Sequence, residues 1–137
     1  MAEPPNRCGF SNDDFGARWD EPLPMFASVV AARRREWEIW LRKMPRVPAR
    51  YAAAAELAWL VLWGCIVNPK GALTRRVLLM SKNWMIQVWS WDNCFDALGV
   101  AAADPELAFD QLRVMFDAQA PTGAFPDSVN PLQACYG

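Results

Sequence analysis

Residues 91–119, WDNCFDALGVAAADPELAFDQLRVMFDAQ, decide the fold class of this chain. The segment predicts two short helices, over 93–102 and 105–119. The second starts with Asp104 at the N-cap and Pro105 at the first helical position, residue types that helix starts favour. Apolar residues at helical spacing then predict one buried stripe, formed by Leu107, Leu112, Met115 and Phe116.

Two further helices are predicted upstream, over 24–44 and 50–66. The first rests on apolar residues at helical spacing, with an Arg-rich, solvated face between them: Val30, Trp37, Trp40, Leu41 and Met44. The second, YAAAAELAWLVLWGCIV, is apolar nearly all round. It is short for a membrane span and contains Glu56, so we expect a buried core helix.

No alternating run long enough for a sheet is present in the sequence. The fold class predicted from these patterns is therefore all-α, built from helical hairpins with short loops. Residues 1–23 are rich in Pro, Asn, Asp and Gly and predict a loop-rich lead-in. Residues 24–137 are expected to carry the helical domain.

Composition excludes several classes of function. Hydrophobic residues make up 53% of the chain and the net charge is −1, so nucleic acid is not an expected partner. A membrane is not expected either, because the apolar segment that contains Glu56 is short for a span. The chain contains no histidine, which removes Ser-His-Asp triads, imidazole bases and HExxH zinc helices. We expect no metal and no cofactor, and acid–base chemistry would have to use carboxylates.

Four scattered cysteines, at positions 8, 65, 94 and 135, show no C-x-x-C pair. They predict small, buried, reduced residues of a cytosolic protein rather than a disulfide framework. The first residues, MAEPPNRCGF, lack a basic region followed by an apolar run, so we expect no signal peptide and a cytoplasmic location.

The candidate functional residues lie in an aromatic ladder. Trp84, Trp89 and Trp91 fall close together, and Asp92 directly follows the last of them. Tryptophan offers a flat apolar face on which a pyranose ring can stack. A carboxylate beside it can accept hydrogen bonds from neighbouring sugar hydroxyls. The alternative is that the tryptophans are packing residues and that Asp92 caps a helix.

Residues 81–130, SKNWMIQVWSWDNCFDALGVAAADPELAFDQLRVMFDAQAPTGAFPDSVN, resemble the start of the catalytic barrel in glycoside hydrolase family sixty-three. This family includes processing α-glucosidase I and bacterial glucosylglycerate and mannosylglycerate hydrolases; trehalases are similar more distantly. The features that carry the resemblance are W-x-W-D with the following N-C-F-x-A-L, D-P-x-L-A-x-D-Q-L, D-A-Q and G-x-F-P-D. The resemblance extends from about Arg50 to Asn130.

The resemblance implies part of an (α/α)6 toroid whose loops bind an α-linked glucoside or a related sugar at one end of a funnel. It implies that Trp91 and Asp92 hold the sugar to be released, and that Trp89 and Phe95 form flanking walls. The implied rim loop consists of Gly123, Phe125, Pro126 and Asp127, with Gln119 leading into it. For Gln119 and Asp127, a polar helix end and a turn former are the alternatives.

The chain departs from the family in one respect. The family's general acid and base, an Asp and a Glu, lie beyond the region that the resemblance covers, and an inverting pair stands roughly 6.5–9.5 Å apart. No catalytic residue is therefore assigned to this chain. We expect the front portion of a barrel domain: a truncated product, a fragment or half of a split enzyme.

Two classes of function follow. The first is a partial, inverting α-glucosidase-like hydrolase that binds carbohydrate and is inactive by itself. The second is a non-catalytic helical module whose apolar face, including Trp59 and Trp63, docks on a partner. Because about four helices cannot close a toroid of twelve, self-association through exposed apolar helices is also expected.

Overall fold

The structure is a computed structural model, and it describes residues 25–83 and 85–136. Helices are its main elements: α1 (Phe26–Leu41), α2 (Ala52–Cys65), α3 (Asp92–Val100) and α4 (Pro105–Asp117), with a 3-10 turn at Ala49–Tyr51 before α2. The four predicted helices are therefore confirmed. The predictions made for residues 1–23, which include Cys8, and for Trp84 lie outside the described residues.

The ends of the helices follow local chemistry. Helix α1 ends at Leu41, earlier than predicted, and Pro45 disfavours helical geometry at the residue before it. At the start of α4, the Asp104 carboxylate accepts a hydrogen bond from the backbone N–H of Leu107 (3.2 Å), so the predicted N-cap is confirmed. The same carboxylate pairs with Lys43 Nζ at 2.8 Å, which ties α4 to the end of α1.

The prediction of an all-α chain without a sheet is wrong in one respect, because two small antiparallel sheets are present. The first pairs β1 (Ile66–Val67) with β2 (Val77–Leu78). The second has three strands, β3 (Val88–Trp89), β4 (Ser128–Val129) and β5 (Ala134–Cys135). Each strand has two residues, too few for a visible alternation of apolar and polar positions.

A pair of tryptophans joins α1 to α2. The rings of Trp40 and Trp59 stack with centroids 4.4 Å apart, and both side chains are buried. Trp40 Nε1 donates to the carbonyl oxygen of Trp59 (3.0 Å), and Trp59 Nε1 donates to that of Trp40 (2.8 Å). Each indole thus keeps a partner inside the core, where an unsatisfied N–H would cost about 1–3 kcal/mol.

The side chain of Gln111 joins α4, α3 and β2, and it is fully buried. Its Oε1 accepts from the backbone N–H of Leu78 (2.7 Å), and its Nε2 donates to the carbonyl oxygens of Leu107 (2.7 Å) and Arg76 (3.3 Å). Asn93 Nδ2, on α3, donates to the side-chain Oε1 of Gln111 (3.5 Å) and to its backbone carbonyl oxygen (3.3 Å). These bonds hold the helical hairpin against the first sheet.

The buried faces differ from the predicted ones. On α4, Leu107 and Met115 are buried as expected, but Leu112 and Phe116 are exposed. The buried residues of that helix are Leu107, Ala108, Gln111, Val114 and Met115. On α2, Trp59 is the buried residue among apolar neighbours that are exposed to different degrees, so α2 is covered on one face in the described part of the chain rather than all round.

The cysteines also differ from expectation. Cys65 is a half-buried free thiol and Cys94 an exposed one, whereas Cys135 is buried and disulfide-bonded. The prediction of buried, reduced cysteines is therefore wrong for Cys94 and Cys135. Among the described residues, no helix has both the length and the apolarity to cross a membrane.

Two glycines offer a matched test of the fold. Gly71 has a φ of 56°, and a Cβ added there would lie 1.8 Å from the carbonyl oxygen of Pro131. Gly71→Ala combines left-handed backbone strain with a backbone clash, so we expect it to lower the free energy of unfolding by more than about 2 kcal/mol. Chemical denaturation measures the change.

Gly64→Ala is the control, since a Cβ there meets nothing within 4 Å and the residue is helical. It should leave stability unchanged or raise it by up to about 1 kcal/mol. Equal effects of the two substitutions would contradict the close approach of Gly71 to Pro131.

Candidate functional site

The start of α3 presents an aromatic ring beside a carboxylate. Trp91 occupies the N-cap position and is 67% exposed, and Asp92 is the first helical residue and half-buried. In the described part of the chain, no hydrogen bond to the Asp92 carboxylate is present, so the alternative role of Asp92 as a capping residue is not seen. Both acceptor oxygens can therefore meet a ligand.

Phe95 lies one turn further along α3 and extends the aromatic surface. Its ring meets the ring of Trp91 edge to face, with centroids 5.9 Å apart, and it is 62% exposed. This geometry is one that aromatic pairs prefer, so the two rings support each other's orientation. The two nearly perpendicular rings form an exposed apolar surface next to Asp92.

Asp96 is a second carboxylate on the same side of α3, and sequence reasoning missed it. Burial, and to a smaller extent the charge of Asp92 four residues earlier, together raise its pKa to about 6. The signal that could have found it is the spacing, because residues four apart on a helix are neighbours. Near neutral pH the two carboxylates place adjacent negative charges at the head of α3.

The pairing of β3 with β4 brings the two sequence motifs together. Trp89 lies opposite Ser128, and the ladder continues through the Ser90 N–H, which donates to the carbonyl oxygen of Asp127 (2.9 Å). Asp127 in turn donates its N–H to the carbonyl oxygen of Cys135 (2.8 Å). The end of the predicted rim loop is thus held directly beside the residue that precedes Trp91.

The other rim residues are held against α4. Gln119 Nε2 donates to the carbonyl oxygen of Gly123 (2.8 Å), whose φ of 90° closes a turn that favours glycine. Phe125 packs its ring edge to face on Phe116, with centroids 4.9 Å apart. Pro126 is buried. In the described contacts, no ring pair or side-chain hydrogen bond links Gln119 or Phe125 to Trp91.

Trp89 differs from Trp91 in its surroundings. It is half-buried, and its Nε1 is buried without a hydrogen-bond partner among the described residues. Gln87 Oε1, two positions earlier, is likewise buried without a hydrogen-bond partner among the described residues. A sugar contact by Trp89 would therefore use the open part of the ring rather than the N–H.

No group of three or more acidic or cysteine side chains in the described ranges has the arrangement of a metal site. Trp91, Phe95 and Asp92 offer hydrogen bonding by a carboxylate beside apolar rings. This combination binds a ligand that has both hydroxyls and apolar C–H faces.

Comparison with known proteins shows a similarity over part of the chain. Residues 85–134 match the family model described as the mannosylglycerate hydrolase MGH1-like glycoside hydrolase domain. No curated protein matches the chain. The match confirms the resemblance to glycoside hydrolases for a partial domain, and it includes W-x-W-D and G-x-F-P-D. The segment from Arg50 to Trp84, which the sequence resemblance also covered, lies outside the match.

The raised pKa of Asp96 gives a test of this site's electrostatics. An unfolded aspartate loses its proton near pH 3.8, whereas folded Asp96 keeps it to about 6. Between these values the folded chain binds more protons, so the contribution of Asp96 to stability falls as pH rises. The Tm of Asp96→Asn, relative to wild type, should therefore increase between about pH 4 and pH 7.

The comparison must be made with wild type at each pH, because Asp104 and Asp117 have lowered pKa values and contribute the opposite slope. Asp92→Asn should reduce the pH dependence of this Tm difference, since it removes the neighbouring charge that raises the pKa of Asp96. A Tm difference between Asp96→Asn and wild type that stays constant over this range would contradict the raised pKa of Asp96.

Proposed function

We propose that this chain, whose residues 85–134 are glycoside hydrolase-like, contributes part of the sugar-binding subsite for an α-linked glucoside or a related sugar. The observation that carries the proposal is that the exposed ring of Trp91 directly precedes Asp92, whose carboxylate makes no capping hydrogen bond at the start of α3. The ring stacks on the C–H face of a pyranose, and the carboxylate accepts hydrogen bonds from two neighbouring hydroxyls.

The location of Asp92 suits this role. A helix N-terminus favours negative charge, and a charged acceptor forms hydrogen bonds about twice as strong as a neutral one. Phe95 forms one wall of the subsite and the ring of Trp89 another. Asp127 approaches from the rim loop, which the β3–β4 ladder holds in place. Gln119, Gly123, Phe125 and Pro126 form the outer part of that loop.

The domain of which this chain is a part is, in this proposal, an (α/α)6 toroid. Two features support it. The described helices pack as two neighbouring pairs, α1 with α2 and α3 with α4, and the second pair has a connection short enough for a helical hairpin. Helix α3 also exposes Leu98, one turn beyond the proposed subsite and opposite the buried face, which suits a helix that a neighbouring helix covers on that side.

The proposal assigns sugar binding to these residues and the acid–base step to carboxylates elsewhere in the enzyme. An inverting glycosidase needs a general acid and a general base on opposite sides of the scissile bond. Asp92 and Asp96 lie on successive turns of α3 and on the same face of the helix, so both carboxylates approach a sugar from the same side. We therefore expect binding without turnover.

A second candidate function is a helical interaction module. It is favoured by the exposed apolar residues on α3 and α4, which include Trp91, Phe95, Leu98, Phe109 and Phe116. Monomeric proteins rarely expose contiguous apolar patches beyond a few hundred Å². Trp59 is not part of such a face, because it is buried against Trp40, and Trp63 packs on Trp37.

Sugar binding can be tested by titrating the chain with maltose and following indole resonances by NMR. Trp91→Ala and Asp92→Asn should each weaken binding by about tenfold or more, because each removes one of the two main contacts. Phe109→Ala, which removes an exposed aromatic ring from α4, should leave the affinity unchanged.

The same preparations should release no glucose from maltose. If the wild-type chain hydrolyses the sugar and Asp92→Asn does not, Asp92 is catalytic and the proposed division of roles fails. Maltose affinity that is insensitive to both Trp91→Ala and Asp92→Asn would remove the proposed subsite.

Self-association is expected through the exposed apolar residues of α3. Wild type should elute from size exclusion as oligomers and bind a hydrophobic dye, and a Phe95→Ser, Leu98→Ser double variant should reduce both signals. Leu57→Ser, at an apolar residue of α2 that is 63% exposed, is the control and should have a smaller effect. A monodisperse wild-type monomer that melts cooperatively without dye uptake would instead indicate a self-sufficient domain.

A further inference from the structure

A cavity of about 490 Å³ lies between α1, the end of α2 and the first sheet, and it is rich in positive charge. Trp91 and Asp92 do not line it, so it is separate from the proposed sugar subsite. The charged side chains on its walls are Arg33, Lys43, Arg76, Lys82 and Glu36.

The carboxylates near this cavity balance only part of its positive charge. Arg33 pairs with Glu36 at 2.7 Å. Asp104 is shared between Lys43 at 2.8 Å and Arg76 at 3.8 Å. One carboxylate thus serves two cations, and the longer of its two contacts is the one to Arg76.

Lys82 has no acidic neighbour at ion-pair distance among the described residues. Its Nζ donates to the carbonyl oxygen of Ile66 (3.2 Å). This bond orients the ammonium group, but the carbonyl is neutral and does not balance the positive charge of Lys82. Four cations therefore face two carboxylates, in a chain whose net charge is −1. The excess positive charge is local to this cavity.

The walls of the cavity strengthen this field. Trp40 and Trp63 form an apolar side, and Trp40 is held rigidly by its stacking on Trp59. A cleft with low-dielectric walls and one sign of charge concentrates the potential on a small counter-ion. At Gly64, which also lines the cavity, an added Cβ would meet no atom within 4 Å, so the space beside the helix is open.

From these observations we propose that the cavity binds a small oxyanion of the phosphate type. The planar guanidinium of Arg76 matches two oxygens of a tetrahedral anion, and the ammonium of Lys82 supplies a point charge to a third. Asn68, which also lines the cavity, carries an amide N–H₂ that can donate a further hydrogen bond. The anion is either free phosphate or the phosphate group of an organic ester.

The direct test is calorimetric titration of the purified chain with inorganic phosphate at low ionic strength. We expect saturable binding that weakens as sodium chloride is added, because added salt screens the charges. Arg76→Gln and Lys82→Gln should each lower the affinity by about tenfold, the usual scale for one charge-assisted hydrogen bond.

Arg34→Gln is the matched control. It removes the same charge from the exposed surface of α1 but does not line the cavity, so it should change the affinity by less than about twofold. Gly64→Leu adds bulk to the cavity without changing charge and should also weaken binding. Far-UV circular dichroism of each variant separates loss of the site from loss of the fold.

Titration with glucose 6-phosphate and with glucose identifies the source of the anion. Equal affinity for inorganic phosphate and the ester indicates a free oxyanion site, and tighter binding of the ester indicates a site that also contacts the organic part. The proposal is overturned if phosphate produces no saturable heat. It is also overturned if Arg34→Gln weakens binding as much as Arg76→Gln and Lys82→Gln do.

Discussion

The buried side-chain amide of Gln111 is the constraint on which the rest of this structure depends. A buried amide is most stable when both its oxygen and its nitrogen are hydrogen-bonded, because each unmade hydrogen bond costs about 1–3 kcal/mol. Gln111 makes these bonds with the backbone of Leu78, Leu107 and Arg76. Asn93 Nδ2 also donates to the side-chain Oε1 of Gln111 and to its backbone carbonyl oxygen. These partners lie on α3, on α4 and at β2, so one side chain fixes the relative placement of three elements.

That placement explains how the proposed binding surface is formed at the start of α3. Asn93 is the second residue of α3, and its bond to Gln111 fixes the rotation of the helix about its own axis. Trp91 and Phe95 then face outward, and Asp92 follows Trp91 at the helix start. The motifs W-x-W-D-N and D-Q-L thus contain two kinds of residue. Asn93 and Gln111 build the core, whereas Trp91 and Asp92 remain available to a ligand.

The balance between aromatic packing and exposure distinguishes the tryptophans of this chain. Each of Trp40 and Trp59 donates its indole N–H to the backbone carbonyl of the other, and the pair joins α1 to α2 in the core. Trp91 is open to solvent, and Trp89 lies between these extremes. All four are the same residue type, so composition could not separate their roles. Their neighbours in space could.

The sequence by itself determined the four helices, the Asp104 cap and the resemblance of the W-x-W-D region to glycoside hydrolases, because helix periodicity, capping and short motifs are local properties. Only the tertiary structure decided which faces are buried. Leu112 and Phe116 follow the helical period as well as Leu107 does, yet they are exposed, whereas Leu107 is buried in a cluster with residues of α3 and β2. The two-residue strands, the raised pKa of Asp96 and the cationic cavity likewise depend on residues distant in the chain, and no local pattern encodes such proximity.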